Sequence, residues 1–332
     1  MSKSVTMAEL ARMFNVSKVT ISNALNDKDG ISPKLKEKIK AKAVELGWRF
    51  NSAARSLKTT KSYNIGILIA ERYIGNRESY YLGVYSKLSA KLVELGYSCI
   101  LETLTYEKEM MLDLPLMYKD SKIDAILNVG QLNYEYLKLF EKVSVPVIFV
   151  DFYDFKVDID SISLDNYTSC YFLAQYLINN GHSKIGFVGN IYTTSSIQDR
   201  YLGFCRAMLE NELQIDPEYL VSDRNKKGEW IPLDLKKIPT AYICNNDQIA
   251  FVLIKKLQGL GMRVPEDVSV VAFDNTLYSI VSTPSITTID SNIDDFVERA
   301  SKAIIKKISS EKVYGRIFVQ GNIIERDSVK KM

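Results

Sequence analysis

The first two apolar patterns of the chain predict a pair of short helices within residues 5–26, VTMAELARMFNVSKVTISNALN. Met7, Leu10 and Phe14 recur at helical spacing, and residues 15–17 interrupt the pattern before a second helix begins. A helix-turn-helix has this layout, because its second helix buries one side and presents short polar side chains to base edges. Any amphipathic helical hairpin has the same layout, so the pattern alone leaves both interpretations open.

A third helix and a short polar linker follow the pair. Ser32 and Pro33 suit the N-cap and the first position of that helix. Residues 51–58, NSAARSLK, could form only about two helical turns, which are not stable alone in water. We therefore predict a headpiece over residues 1–50 and a hinge helix with a linker over residues 51–61.

Continuous apolar runs alternate with helical segments over the rest of the chain. The run IGILIA at 65–70 is typical of a strand buried on both faces. We also expect helices near 108–118 and over 134–141, and a last strand over 315–321. The alternation predicts parallel sheets in two α/β lobes, with a ligand cleft at the carboxyl ends of the strands. We expect the two lobes to occupy residues 62–332, with an N-lobe of about 62–161 plus 293–320 and a C-lobe of about 162–290 plus the C-terminal segment.

Charge is distributed unevenly between the headpiece and the lobes. Residues 1–61 contain 13 Lys and Arg but 5 Asp and Glu, whereas the remaining residues contain 30 and 35. A net charge of +8 on the helical module therefore accompanies −5 on the rest. Such a basic module is typical of a protein that binds a polyanion, since neutralising phosphates releases counterions. A solvated lysine-rich helix would explain part of this excess but not its place beside a helix-turn-helix pattern.

The residue types that most enzymes use are sparse. Cys99, Cys170, Cys205 and Cys244 lie far apart without a CxxC pair, so we expect buried reduced thiols and no metal site. His182 is the only histidine and lies in the turn NNGHSK, without a nucleophile elbow or a Walker loop elsewhere. We expect no cofactor and no enzymatic activity, and we interpret His182 as a structural residue.

The N-terminus lacks the apolar segment of a signal peptide, and no apolar run approaches the length of a membrane span. We therefore expect a cytoplasmic protein without membrane contact. A sugar-binding transport module is the main alternative from another functional class. Such a protein would carry a signal peptide in place of residues 1–61.

Several motifs in the same order resemble the LacI/GalR transcriptional repressors over nearly the whole chain. In the headpiece they are the segments quoted above and ISPKLKEKIKAKAVELGW; in the lobes they are NNGHSKIGFVGN, DRYLGF, PTAYICNNDQIA and LGMRVPEDVSVVAFDNT. The resemblance implies an all-α helix-turn-helix headpiece and an α/β two-lobed domain similar to periplasmic binding proteins. It also implies a homodimer that binds a near-palindromic operator in double-stranded DNA.

The resemblance also implies a set of DNA contacts, which we number by this sequence. The phosphate contacts would be Thr6, Ser17, Ser22 and Asn26, the groove-reading residues Lys18, Val19 and Asn23 with Thr20 beside them, and the hinge contacts Asn51, Ala54 and Leu57. The hinge would fold only on DNA, with Leu57 wedged into the minor groove.

Two residues depart from the family pattern. Phe50 stands where most members have proline before the hinge, and Asn23 stands where many have arginine. Asparagine pairs with adenine through N6 and N7, whereas arginine pairs with guanine. We therefore predict an A·T base pair at the position that Asn23 reads.

For the ligand, the resemblance implies polar contacts from Arg200, Asn246 and Asp274, with Asp151 as a weaker candidate and Trp230 as an aromatic plate for a sugar ring. Asp151, Asn246 and Asp274 each follow an apolar strand, which independently predicts that they face the cleft. An alternative is that Arg200 and Asp274 form an ion pair between the lobes without binding a ligand. We expect the neighbouring Asp247 to cap the next helix.

The leading hypothesis is a repressor of carbohydrate-utilisation genes whose operator affinity is controlled by a small ligand, a sugar or a sugar derivative, between the lobes. The sign of this control stays open, because a ligand-dependent corepressor mechanism fits the same sequence. The loop at 71–81, ERYIGNRESYY, is longer and more charged than is usual in the family, so the resemblance implies an effector other than a plain hexose.

Overall fold

The computed structural model describes residues 5–48, 61–75, 80–310 and 314–332. The chain separates into two compact units, Met1–Ser62 and Tyr63–Met332. The predicted hinge residues Asn51, Ala54 and Leu57 lie outside the described residues.

The N-terminal unit is a three-helix headpiece. Its helices are α1 (Met7–Met13), α2 (Lys18–Leu25) and α3 (Pro33–Glu45). Leu10, Ile21 and Ile39, one from each helix, are fully buried and form the centre of a small core. Thr6 and Ser17 cap α1 and α2 through their side chains, whereas Ser32 begins α3 without a side-chain cap hydrogen bond.

The larger unit contains two six-stranded sheets. Its strands are β1 (Asn64–Ala70), β2 (Ser98–Leu104), β3 (Ala125–Val129), β4 (Val147–Val150), β5 (Ser161–Leu164), β6 (Ile185–Val188), β7 (Leu220–Val221), β8 (Ala241–Cys244), β9 (Ser269–Phe273), β10 (Thr287–Asp290), β11 (Arg316–Val319) and β12 (Asn322–Ile324). The first sheet has the order β11-β5-β4-β3-β1-β2 and the second β12-β10-β9-β8-β6-β7. All pairings are parallel except that of β12 with β10.

Helices cover both sheets and complete two lobes, the first lobe around the first sheet and the second lobe around the second sheet. They are α4 (Tyr80–Glu94), α5 (Tyr106–Met110), α6 (Leu116–Lys119), α7 (Tyr134–Leu139), α8 (Asn166–Asn179), α9 (Ser195–Glu210), α10 (Asp247–Gly259), α11 (Leu277–Val281) and α12 (Ile293–Ser309). In α12, the buried residues Phe296, Ala300 and Ile304 follow one face and pack on the core of the first lobe.

The order of the strands shows how the chain passes between the lobes. It leaves the first sheet after β5, returns to it with α12 and β11, and enters the second sheet again at β12. In open parallel sheets, ligands bind beyond the carboxyl ends of the strands. Asp151, Asn246 and Asp274, which follow β4, β8 and β9, line one cavity, so these ends of the two sheets face a shared cleft.

Some elements differ from the sequence prediction. The helix expected near 108–118 is two short helices, α5 and α6, because Pro115 cannot continue a helix and instead caps α6. The helix expected over 134–141 ends at Leu139 and continues as a 3₁₀ turn. The strand expected over 315–321 spans only 316–319.

The cysteines were also predicted only in part. All four are free, but Cys99 and Cys205 are only partly buried, so the expectation of four buried thiols was wrong for these two. Cys99 lies on the edge strand β2, and Cys205 lies on α9, which is partly exposed.

Candidate functional site

The exposed side of α2 carries the three predicted groove-reading residues. Lys18 and Val19 are exposed and Asn23 is half-buried. None of the three forms a side-chain hydrogen bond or an ion pair within the described part of the headpiece. Their polar and apolar groups are therefore available to an external partner.

The predicted phosphate contacts, in contrast, have partners within the headpiece. The Thr6 hydroxyl accepts from the Glu9 backbone N–H, and the Thr6 backbone N–H donates to Glu9 Oε2 at 2.7 Å, which completes a capping box. Ser17 caps α2 by accepting from the Thr20 N–H at 3.0 Å, and their hydroxyls are 2.9 Å apart. Ser17 and Thr20 are therefore oriented by the cap.

The last two predicted phosphate contacts lie one turn further along α2. Asn26 Nδ2 donates to the Ser22 carbonyl at 2.7 Å. The amide of Asn26 thus closes the C-terminal end of the helix.

Between the two lobes lies a cavity of about 420 Å³, the effector cavity. This volume falls within the range of small-molecule sites. Its lining includes all five residues that the sequence analysis assigned to the ligand, namely Asp151, Arg200, Trp230, Asn246 and Asp274. Asp151 is contributed by the first lobe and the other four by the second.

Arg200 is held in the cavity wall by contacts on every side. Only 6% of it is exposed. Its Nε donates to Asn166 Oδ1 at 2.7 Å, its Nη1 to the Asn245 carbonyl, and its Nη2 to Asp274 Oδ1 at 3.5 Å. The guanidinium carbon lies 4.2 Å from the centroid of the Phe273 ring. The side chain is thus preorganised, with no freedom to lose when a ligand binds.

Two carboxylates extend from strand ends into the cavity. Asp151 and Asp274 have φ angles of 70° and 99°, a backbone region that non-glycine residues rarely occupy and that occurs preferentially at functional sites. The Tyr81 hydroxyl donates to Asp151 Oδ2 at 3.0 Å. Burial raises the pKa of Asp151 to about 7, while nearby Arg200 opposes the shift and Asp274 adds to it.

The ion pair between Arg200 and Asp274 exists, but it does not join the lobes. Arg200 lies on α9 and Asp274 follows β9, so both belong to the second lobe. The proposed alternative of an interlobe pair was therefore wrong in its geometry. Burial raises the pKa of Asp274, and the Arg200 guanidinium counteracts this effect.

The expectation that Asp247 caps a helix was also wrong. Asn246 is the N-cap of α10 and accepts from the Ile249 N–H at 2.8 Å. Asp247 is fully buried and accepts from the Thr276 backbone N–H at 2.6 Å and the Thr288 hydroxyl at 2.6 Å. Burial raises its pKa to about 7, with a further contribution from Asp274.

Other residues in the cavity wall or behind it did not stand out in the sequence. Asp223 is fully buried and accepts from Asn190 N–H, Asn245 Nδ2 and Arg224, so it orients the wall behind the ligand space. It follows β7, a strand of two residues, which is too short to produce an apolar run. Tyr80 and Tyr81 also line the cavity, and the charged loop at 71–81 was the only sequence signal for them.

His182 lies outside this site. Its Nδ1 is 3.1 Å from the Thr240 hydroxyl and its Nε2 is 3.1 Å from the Lys330 carbonyl, so it joins the C-terminal segment to the second lobe. Among the described residues no group of three or more His, Cys, Asp or Glu side chains could hold a metal ion. No helix in the described parts of the chain has the length and apolar character needed to cross a bilayer.

Comparison with known proteins relates both units to a single family. Residues 174–329 match a periplasmic binding protein-like domain. The HTH-type transcriptional regulator RegA of Clostridium saccharobutylicum is 30% identical over 331 residues, covering 97% of this chain and 98% of that protein. The chain belongs to the LacI/GalR family of transcriptional regulators. The predicted family is therefore confirmed.

Two further similarities extend across both units of this LacI/GalR regulator. The HTH-type transcriptional repressor PurR of Vibrio vulnificus is 28% identical over 338 residues, covering 98% of this chain and 99% of that protein. A crystal structure of the lac repressor dimer bound to operator and the anti-inducer ONPF superposes with a TM-score of 0.77 at 20% identity, covering 99% of this chain and 100% of that one. These similarities confirm the predicted fold class of a LacI/GalR protein, with a helix-turn-helix headpiece and two parallel-sheet lobes.

Proposed function

We propose that this regulator is a repressor of carbohydrate-utilisation genes and that a sugar or sugar derivative in the effector cavity controls its affinity for operator DNA. The observation that carries the proposal is the composition of the cavity wall. It combines the fixed donor Arg200 with the acceptors Asp151 and Asp274 and the aromatic ring of Trp230. A sugar requires this combination, because its hydroxyls both donate and accept hydrogen bonds while its C–H face packs on an aromatic ring.

The proposal divides the chain at the predicted boundaries: headpiece 1–50, hinge helix and linker 51–61, and effector-binding and dimerisation domain 62–332. The first lobe would comprise about 62–161 and 293–320, and the second about 162–290 and the C-terminal segment.

Contacts between the lobes support control by a ligand. The Tyr153 hydroxyl donates to the Asp199 carboxylate at 2.8 Å, and the Ser195 N–H donates to Gln131 Oε1 at 2.7 Å. Tyr153 and Gln131 belong to the first lobe, and Asp199 and Ser195 begin α9 of the second. A ligand that contacts both lobes favours arrangements that keep these bonds, and its differential affinity sets the size of the response.

On the DNA side, α2 would lie in the major groove, with Lys18, Val19 and Asn23 at base edges. The available side chains of these residues support this role. A near-palindromic operator requires two copies of the headpiece. A homodimer would supply them.

An exposed apolar surface supports the homodimer. Leu277, Ile280 and Val281 on α11 are 50%, 60% and 55% exposed, and Val252 on the adjacent α10 is 42% exposed. Contiguous exposed apolar side chains commonly mark a protein interface. A second copy of the chain, related by two-fold symmetry, would bury this surface.

The test measures binding of the full-length chain to an operator. The operator is a site selected from random DNA, and binding is detected by fluorescence anisotropy. A panel of neutral sugars, sugar phosphates and sugar acids is added in turn. We expect at least one compound to change the operator affinity by about fivefold or more. The direction of the change distinguishes an inducer from a corepressor.

A pair of variants ties any response to the cavity. Asp274→Asn should abolish the response, whereas Asp267→Asn, at an exposed carboxylate of the same lobe, should retain it. If no compound changes operator affinity, control by a ligand in the cavity is wrong.

A further inference from the structure

A second cavity, of about 220 Å³, adjoins the effector cavity. We name it the basic cavity, after the charges in its wall. Both cavities are lined by Arg72 and Tyr73 of the first lobe and by Thr194, Arg224 and Gly228 of the second. A ligand that filled both would contact one continuous surface between the lobes.

The described lining of the basic cavity has four basic side chains and one acidic one. The basic ones are Arg72, Arg224, Lys226 and Lys227, and the acidic one is Glu109. In the effector cavity, by contrast, three arginines are matched by three carboxylates. Among the described residues, the excess of positive charge is thus confined to one end of the cleft.

The two arginines are already neutralised by neighbours, and the two lysines are not. Arg72 pairs with Glu109 through Nη1 and lies 3.2 Å from it through Nη2. Arg224 donates to Asp223 Oδ2 from Nε at 3.0 Å and from Nη2 at 2.8 Å. Lys226 and Lys227 form no ion pair with any described residue. Their charge is available to an anion.

A tight hairpin over 224–230 presents these groups to the two cavities separately. Arg224 and Trp230 form its bridge, the Asn225 N–H donates to the Glu229 carbonyl at 2.8 Å, and Gly228 turns the chain with a φ of 85°. A Cβ on Gly228 would also approach the Arg72 side chain to 3.4 Å. The hairpin therefore lies beside Arg72 of the first lobe.

The side chains of the hairpin differ between the two cavities. Trp230 and Glu229 line only the effector cavity, whereas Lys226 and Lys227 line only the basic cavity. Lys227 Nζ lies 5.9 Å from the centroid of the Tyr106 ring, which belongs to the first lobe. One short segment of the second lobe thus sets the chemistry of both compartments.

We propose that the effector is an anionic sugar, whose hydroxylated ring occupies the effector cavity while its phosphate or carboxylate occupies the basic cavity beside Lys226 and Lys227. This inference rests on the proposed function, because it concerns the ligand of the same cleft. Phosphate and carboxylate share the required chemistry, a compact anion that accepts several hydrogen bonds. The anion would also join Lys226 and Lys227 to the Arg72 side of the first lobe.

The test compares matched ligands on the full-length chain by isothermal titration calorimetry at constant ionic strength. The probes are glucose with glucose 6-phosphate, trehalose with trehalose 6-phosphate, glucuronate, and inorganic phosphate. The proteins are the wild type, Lys226→Glu/Lys227→Glu, and the control Lys236→Glu, which reverses an exposed lysine of the second lobe outside both cavities.

We expect one or more anionic probes to bind the wild type. Any phosphorylated sugar that binds should do so with an affinity about tenfold or more above that of its neutral parent sugar. The double variant should lose this advantage and the control should keep it. Comparing the phosphorylated sugars with glucuronate shows whether the basic cavity prefers a phosphate or a carboxylate. If no anionic probe binds the wild type more tightly than it binds the double variant, the inference is overturned.

Operator binding separates this inference from the proposed function. If an anionic probe binds in a lysine-dependent way but leaves operator affinity unchanged, the basic cavity stands and ligand control of the operator fails. If a neutral sugar changes operator affinity and its phosphorylated partner does so no better, ligand control stands and the anionic effector is wrong.

Discussion

The exposed side of α2 and the wall of the effector cavity are both polar, but they are built in opposite ways. On α2, the side chains of Lys18 and Asn23 form no hydrogen bonds with the described headpiece. In the cavity, Arg200 has three hydrogen-bonding partners and a ring beneath it, and Asp223 accepts from three residues. The side chains on α2 are available to an external partner. Those in the cavity wall are committed, meaning that they are already bonded to protein partners before a ligand binds.

This difference determines what each surface can tolerate. A substitution at an uncommitted side chain alters recognition and leaves the fold intact, since no internal partner loses a bond. In a committed network, removing one member leaves buried groups unsatisfied and destabilises the lobe as well. Binding energy in the cavity is correspondingly larger per contact, because the groups are already ordered.

The strongest test of this difference is Arg200→Ala. The change leaves Asp274, Asn166 Oδ1 and the Asn245 carbonyl without their donor in a buried site. Removing one partner of such a pair costs about 3–5 kcal/mol. We expect urea unfolding of the full-length chain to show a loss of this size in the free energy of unfolding of the two-lobed unit.

The matched control is Arg206→Ala on the same helix. Arg206 is exposed and pairs with Glu210, and solvent screening leaves such a pair with little effect on stability, so we expect a far smaller loss. Equal losses for the two variants would contradict the view that the cavity wall is a committed network.

The second prediction concerns pH and uses Asp151→Asn. Burial raises the pKa of Asp151 to about 7, well above the ordinary aspartate pKa of about 3.9, so the folded state binds a proton more tightly than the unfolded state. Its contribution to stability is therefore complete below about pH 4 and is lost as the pH rises to about 7. Asn cannot ionise, and it tolerates a positive φ. At pH 8 the free energy of unfolding of the variant should therefore exceed that of the wild type by roughly 2 kcal/mol.

Stability curves from pH 4 to pH 8 provide the measurement. The pKa of Asp247 is also raised to about 7. The variant should therefore still lose some stability as the pH rises, though less than the wild type. The control Asp158→Asn removes an exposed carboxylate and should leave the curve unchanged. A stability difference between the wild type and Asp151→Asn that stays constant from pH 4 to pH 8 would refute the assigned direction.

On the reading side, Asn23→Arg should change specificity with little effect on the fold. We expect sites selected from random DNA to have A·T at the corresponding position for the wild type and G·C for the variant, with a preference of about 1–3 kcal/mol in each case. The free energy of unfolding, measured by thermal unfolding, should change by less than about 0.5 kcal/mol. Lys38→Arg, an exposed change on α3, should select the wild-type sites. Identical sites from all three proteins would exclude base reading by Asn23.

The same difference explains which parts of the molecule could be predicted from the sequence. The apolar runs of β4, β8 and β9 located the strand ends, and with them Asp151, Asn246 and Asp274. Buried parallel strands produce long apolar runs, so the cleft follows directly from them. The headpiece helices were equally evident, because caps and helical spacing are local signals.

The committed network was less accessible to prediction. Asp247 was expected to act as a cap, because the sequence does not show that the adjacent Asn246 already occupies the N-cap. Asp223 and the hairpin at 224–230 follow a strand of two residues, which leaves no periodic pattern. These residues acquire their roles from tertiary partners, and no local rule identifies such partners.

The smallest predicted effect tests whether a phosphate candidate is also a structural residue. In Thr6→Ala, α1 loses the hydroxyl that accepts from the Glu9 N–H, and such a cap contributes about 1 kcal/mol. We expect faster amide hydrogen exchange in residues 7–13 of the free full-length chain, with Thr6→Ser close to the wild type. The measurement is made without DNA. Faster exchange in Thr6→Ala would therefore show that Thr6 stabilises α1, whether or not it also contacts a phosphate. Unchanged exchange would place Thr6 with Lys18 and Asn23, as a side chain kept free for an external partner.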